Sequence, residues 1–285
     1  MDPNHLIVLS IGLVGSLTIH LSQGLLKLAI LRRAEDRGGA GNTTLYTIGL
    51  LLNFSAPLWV IVANRFGPTV LYTSMYATGL SGLILFSRWK LKRPLRTAEI
   101  LGAVMVTIGS IVVVLSYSQK GITGMEATVP GWLLGAGLLL ALLLLPAVRL
   151  ATRWQALPTG LVMGAFGGAF LALDSLLKGV AQAEGGAGGF LPVSSAGWTL
   201  FGISFLGAAA ALGMTQWAHA RHQPPTATIA AYDAAYVALP VLLLPIAQGQ
   251  GAGLDLICLA GLMIILIGLA LVGHANAPKR IQAST

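Results

Sequence analysis

Long apolar runs alternate with short polar breaks along the whole chain. A helix needs about 20 largely apolar residues to cross roughly 30 Å of hydrocarbon. Nine runs meet that length, at about 6–31, 45–64, 68–88, 97–117, 131–151, 158–183, 197–219, 225–247 and 254–274. The first lacks a basic n-region, opens with Asp2 and is too long for the apolar stretch of a signal peptide, so it reads as a retained helix. The longest breaks, 32–44, 118–130 and the glycine-rich 184–196, leave no room for a soluble domain. The pattern predicts an all-α integral membrane protein, a single polytopic domain over 1–285 with a short tail at 275–285.

Composition narrows this further. Only 9% of the 285 residues are charged and 55% are hydrophobic, against roughly 25% charged in a soluble domain, and mean hydropathy is +0.81. A water-facing shell cannot be built from so few charges, which excludes an ordinary cytosolic enzyme. The net charge of +8 is concentrated on alternating breaks: Arg32, Arg33 and Arg37; Lys90, Lys92, Arg93 and Arg96; Arg149 and Arg153; Arg221; Lys279 and Arg280. The opposite set holds only Arg65 and Lys120 clearly outside a helix. The positive-inside rule then predicts a plasma (cell inner) membrane protein with its N-terminus outside and its C-terminus cytoplasmic, so the basic excess reports orientation and gives no reason to invoke nucleic acid. The single cysteine, Cys258, excludes an intrachain disulfide and a cysteine-based metal cluster.

The two halves of the chain can be laid over each other. Gln23 to Lys27 in the first run match Asp174 to Lys178 in the sixth, and Thr44, Leu45, Tyr46 match Thr199, Leu200, Phe201. Pro68 and Thr69 stand before the third run as Pro225 and Thr226 stand before the eighth, and Gly102 and Gly109 are spaced as Gly261 and Gly268. Related runs are five apart, an odd number, so two four-helix repeats (about 6–117 and 158–274) are expected in opposite membrane orientations, joined by a connector helix at about 131–151. Inverted repeats that exchange roles about a site near the midplane are a signature of secondary transporters.

With this repeat, the chain resembles the drug/metabolite transporter superfamily and is similar to its NIPA-type magnesium transporters. The resemblance rests on Leu26, Lys27 and on Leu177, Lys178, Gly179, on Thr215 and Gln216, on the proline breaks before the third and eighth runs, and on Met263 to His274 with Gly268. It covers most of the chain and implies a transporter in which Asp233 would hold magnesium. NIPA-like proteins carry an acid in the second helix, where this chain reads Asn53, Phe54, Ser55, Ala56, Pro57, and Asp233 stands beside Tyr232 where that pattern has a tyrosine pair.

Ionisable groups at membrane depth are costly unless paired or facing a cavity. Asp233 is the sharpest case, about 13 Å into its helix at 1.5 Å per residue; a carboxyl there can exchange protons or hold a cationic substrate, or be neutralised by a neighbouring helix and serve packing alone. Tyr232 and Tyr236 would add hydroxyls and aromatic faces for a cation. On the repeat-related helix stand Tyr76, Tyr72, Ser74 and Thr73. Asp174 and Lys178, four apart, share a helix face as a structural ion pair or a gate. Lys27 is expected to snorkel to the interface, His20 and His219 to be hydrogen-bonded packing residues rather than groups for proton handling or metal binding, and Asp255 to complement a helix dipole. Pro57, Pro146, Pro240 and Pro245 are expected to kink or break their helices. Small residues at 207–211 permit close packing within one chain or between two copies of a homodimer.

No enzyme motif, nucleophile–base pair or cofactor site is visible. The reading is a secondary transporter that moves a small organic cation or metabolite across the bilayer by alternating access, coupled to protons through Asp233. The alternatives are a NIPA-like magnesium transporter, with Mg2+ as substrate, and a non-catalytic membrane subunit or scaffold.

Overall fold

Strings of Leu, Ala, Val and Ile without charge leave the backbone one way to satisfy its own polar groups in lipid, the helix. The structure, a computed structural model, describes residues 3–34, 40–92, 94–119, 125, 128–154, 159–185, 189–221, 225–249 and 255–276, and among them there is no strand. Arg37, Arg93, Lys120, Gly186, Gly188, Lys279, Arg280 and the tail from 277 onward lie outside the described residues. The helices are α1 (Pro3–Ala34), α2 (Ala40–Phe54), α3 (Ala56–Phe66), α4 (Thr69–Ser74), a 3-10 turn (Tyr76–Thr78), α5 (Gly79–Trp89), α6 (Thr97–Gln119), α7 (Pro130–Trp154), α8 (Thr159–Ala183), α9 (Ser195–Ala220), α10 (Pro225–Ala247) and α11 (Leu256–Asn276).

Eight segments are long and apolar enough to cross a membrane, and the apolar part of α11, Leu256–Val272, is shorter. The outward surface is itself apolar: on α7, Leu138, Leu142 and Leu145 are each about two-thirds exposed, which water would not tolerate over so large an area but lipid does. These features are compatible with an integral membrane protein.

The second and third predicted spans are each built from two pieces. In the second, α2 ends at Phe54 and α3 begins at Ala56 with Pro57 in its first turn, as the proline leads one to expect. In the third, no proline is present, yet α4 stops at Ser74 and the chain passes through a 3-10 turn before α5. By contrast α7 continues through Pro146, and α10 through Pro240 and Pro245, so those prolines do not end their helices.

Three packing units set the interior. α1 packs on α2, α3 and the two halves of the third span; α8 packs on α9 and α10; α6 and α11 pack along their lengths. The last contact is glycine-mediated. A Cβ added at Gly102 would lie 2.5 Å from the Gly268 carbonyl, and one at Gly268 would lie 2.6 Å from the Gly102 carbonyl; Gly109 and Gly261 are related in the same reciprocal way, at 2.7 and 2.9 Å. Asp255 caps α11, accepting from the Cys258 N–H at 2.6 Å, and its carboxylate also accepts from Ser116 of α6 at 2.8 and 2.9 Å. The dipole role expected for Asp255 is thus joined by a tie between helices.

Candidate functional site

The broken third span is held by α1. Its freed backbone groups need partners inside an apolar region, and Ser16 supplies them: its hydroxyl donates to the Tyr76 carbonyl and accepts from the Gly79 N–H at 2.9 Å. A side chain at Gly79 would meet His20 Nδ1 at 2.3 Å and Ser16 Oγ at 2.4 Å, so only glycine lets α1 approach this closely.

One turn along α1, His20 Nε2 lies 2.8 Å from Asp233 Oδ2 of α10, with both side chains fully buried. His20 Nδ1 is 2.8 Å from the Ser16 carbonyl, a group that only accepts. Nδ1 therefore carries hydrogen in every protonation state that keeps this contact. The exchangeable proton is the one between Nε2 and Oδ2. With it the pair is hydrogen-bonded, whether written as imidazolium and carboxylate or as imidazole and carboxylic acid. Without it, a nitrogen lone pair faces a carboxylate oxygen.

Tyr76 lies against His20 and gathers three further tyrosines beside the pair. The Tyr76 ring centroid is 4.5 Å from that of Tyr236, 6.2 Å from Tyr232, 6.5 Å from Tyr72 and 5.3 Å from the His20 ring. The predicted residues of the third and eighth runs are thus brought together, and His20 joins them. Tyr236 shares a 2.7 Å hydrogen bond with Ser175 of α8. Among the described residues the Tyr72 hydroxyl and Asp233 Oδ1 find no hydrogen-bond partner, although both residues are completely buried. Ser74 instead donates to the Val70 carbonyl of its own helix at 2.6 Å. α10 is seated against α8 at Gly168, where a Cβ would meet the Tyr232 carbonyl at 2.0 Å.

A cavity of about 400 Å3 adjoins this cluster. Tyr232 is the predicted site residue that lines it; Asp233 and Tyr76 pack behind. Its inner wall includes Gln23, Thr215 and Tyr232, and its outer wall includes Phe54, Leu58 and Phe205. Phe205 in turn carries the Lys178 ammonium 4.0 Å from its ring centroid, and Lys178 is paired with Asp174 as the four-residue spacing predicts.

One reading of a single residue needs correction and a second is extended. Lys27 does not reach out to an interface: it is buried, and its ammonium donates to the His219 carbonyl of α9 at 2.9 Å. His219 in turn shares a 3.1 Å contact with Gln23 Oε1, so α1 and α9 are tied at two levels. His20 is hydrogen-bonded as expected, and one of its partners is a buried acid. Its acid is 213 positions away, and no spacing on its own helix could signal that; Ser16 four residues earlier was the only local trace.

No family model, curated protein or solved structure matches the chain.

Proposed function

We propose that the chain is a secondary membrane transporter, a relative of the drug/metabolite transporters, moving a small organic cation or metabolite by alternating access with the His20–Asp233 proton as coupling ion. The observation that carries this reading is that pair: a fully buried acid and base from two distant helices, sharing one exchangeable proton beside a broken helix and a cavity. Loss of the proton turns a hydrogen bond into a repulsive contact between α1 and α10. Protonation and helix arrangement are therefore coupled, as a proton-driven transporter requires.

The inverted repeat is supported by the reciprocal glycine contacts. In the repeat alignment Gly102 corresponds to Gly261 and Gly109 to Gly268, and the contacts run crosswise, Gly102 with Gly268 and Gly109 with Gly261. Crosswise pairing is what a two-fold axis between antiparallel partners generates. The packing of α1 on α2 and α5 is likewise mirrored by that of α8 on α9 and α10. In this reading the N-terminus is outside.

An organic cation suits the surroundings better than magnesium. Four tyrosines and one acid bound by its own histidine form the cluster, and among the described residues no three His, Cys, Asp or Glu side chains gather where they could hold a metal ion. Uptake into proteoliposomes, with and without an inward proton gradient, tests the proposal by comparing Mg2+ with short-chain amines. Amine flux that follows the gradient is expected; Mg2+ flux indifferent to it would sink the reading.

A further inference from the structure

We infer that the cavity is a lateral portal, taking a bilayer-dissolved amphiphile with a non-anionic, hydrogen-bonding head and an alkyl tail. The inference deepens the transporter reading by naming a substrate class and a route.

The cavity lies where two walls fail to meet. α2 and α3 pack on α1 and α9 packs on α8; α3 meets α8, but among the described residues α9 forms no packed interface with α2 or α3. Residues from both sides border the gap. On the outer side Phe54 is 59% exposed, Leu58 62% and Phe205 41%. Large apolar side chains exposed on a helix of this composition face hydrocarbon, so the cavity is open to the bilayer interior and its mouth is apolar. The inner side is polar and closed, with Gln23, Thr215 and Tyr232 all at least nine-tenths buried. A molecule filling it would have its tail at the mouth and its head against an amide, a hydroxyl and a phenol.

The helix break borders the cavity: Asn53 and Pro57, which has no N–H to give the Asn53 carbonyl, both line it. Among the described residues the lining contains no charged side chain; of the buried lysines nearby, Lys178 is held by Asp174 and Lys27 donates to the His219 carbonyl. A phosphate or carboxylate head would enter without a counter-charge, whereas a hydroxyl, amide or amine head finds acceptors and aromatic faces. The volume of about 400 Å3 falls within the usual range for small-molecule pockets.

The test uses the full chain in phosphatidylcholine vesicles without any ion gradient, so that it reads occupancy and not transport. A twelve-carbon primary amine with a terminal diazirine is photoactivated, and labelled peptides are identified by mass spectrometry. Labelling should concentrate at 52–61 and 205–215, at least roughly five-fold above the exposed face of α7. Excess dodecylamine should reduce it by a similar factor, and butylamine or dodecanoate should not. Ala208→Trp, filling the lining, should abolish the selective signal; Ala209→Trp, at the exposed rim, should do the same if the first variant does not fold. Labelling spread evenly over the lipid-facing helices, or competition by dodecanoate equal to that by dodecylamine, would overturn the portal. Either result leaves proton-coupled uptake of short amines standing, because that is read in the gradient experiment alone.

Discussion

His20 Nε2 and Asp233 Oδ2 lie 2.8 Å apart at full burial, and the proton between them is the only feature that makes the contact attractive. Asp233→Asn keeps the size of the side chain and can still donate an N–H to the imidazole, but removes the carboxyl. Gradient-driven uptake is expected to fall to the gradient-free rate while exchange without a gradient persists. Uptake that still follows the proton gradient in Asp233→Asn vesicles would exclude the pair as the coupling site. Removing one partner of a buried pair costs about 3–5 kcal/mol when the other is left charged. Because His20 can shed its proton and stand neutral once the acid is gone, Asp233→Leu is expected to cost less than that, read from thermal unfolding in detergent.

The α6–α11 interface rests on backbone approach at four glycines. At Gly102 and Gly268 an added methyl would press on a carbonyl of the opposite helix, at 2.5 and 2.6 Å, and backbone cannot rotate away as a flexible side chain could. Gly102→Ala and Gly268→Ala are each expected to destabilise by about 1–3 kcal/mol, the range for overpacking. Gly131→Ala and Gly135→Ala on α7 meet nothing within 4 Å and are expected to be neutral or slightly stabilising, through helix propensity worth up to about 1 kcal/mol. Melting temperatures of the four variants decide the matter; equal effects at all four positions would mean that the close approach has no energetic weight.

Asp174 and Lys178 separate a structural pair from a gate. Asp174→Asn leaves a buried ammonium without its counter-charge, facing an amide in place of the carboxylate and the Phe205 and Phe201 rings at 4.0 and 5.9 Å. A loss of about 3–5 kcal/mol is expected, as for other broken buried pairs. The double replacement Asp174→Leu with Lys178→Met removes both charges and is expected to recover most of that loss. If the pair is structural, the double variant also transports; if it is a gate, the double variant folds and transport fails. Stability and uptake measured on the same preparations distinguish the two.

How much of this was legible in the sequence depended on the range of each interaction. Span lengths could be read because hydrocarbon thickness imposes them residue by residue, and Asp233 stood out because an acid is conspicuous among alanines. The Asp174–Lys178 pair could be read from its four-residue spacing. His20 could not be assigned, because its partner is on another helix and no local rule links them. The break in the third span carries no proline; Ser16 of α1 bonds the Tyr76 carbonyl and the Gly79 N–H there, and tertiary contact of that kind is invisible to periodicity. Lys27 was misread for the same reason: a lysine near a helix end snorkels unless a neighbouring helix offers a carbonyl, and α9 offers that of His219.

Membrane orientation is open to direct test because the only cysteine, Cys258, is fully buried on α11. A membrane-impermeant maleimide should therefore react little with the native chain in sealed cells, and a cysteine introduced at an exposed position reports its own side. Asn4→Cys sits at the start of α1, Lys90→Cys just beyond α5 and Leu191→Cys beyond α8, all exposed. With the N-terminus outside and nine crossings, positions 4 and 191 are expected to react from outside, and position 90 only after permeabilisation. The pair 4 and 191 tests more than orientation. Position 4 precedes the first span and position 191 follows the sixth, so labelling on one side means that α1 and α8 cross in opposite directions, as inverted repeats must. Labelling of 4 and 191 on opposite sides would place the two helices parallel, and the inverted repeat, with the alternating access built on it, would have to be given up.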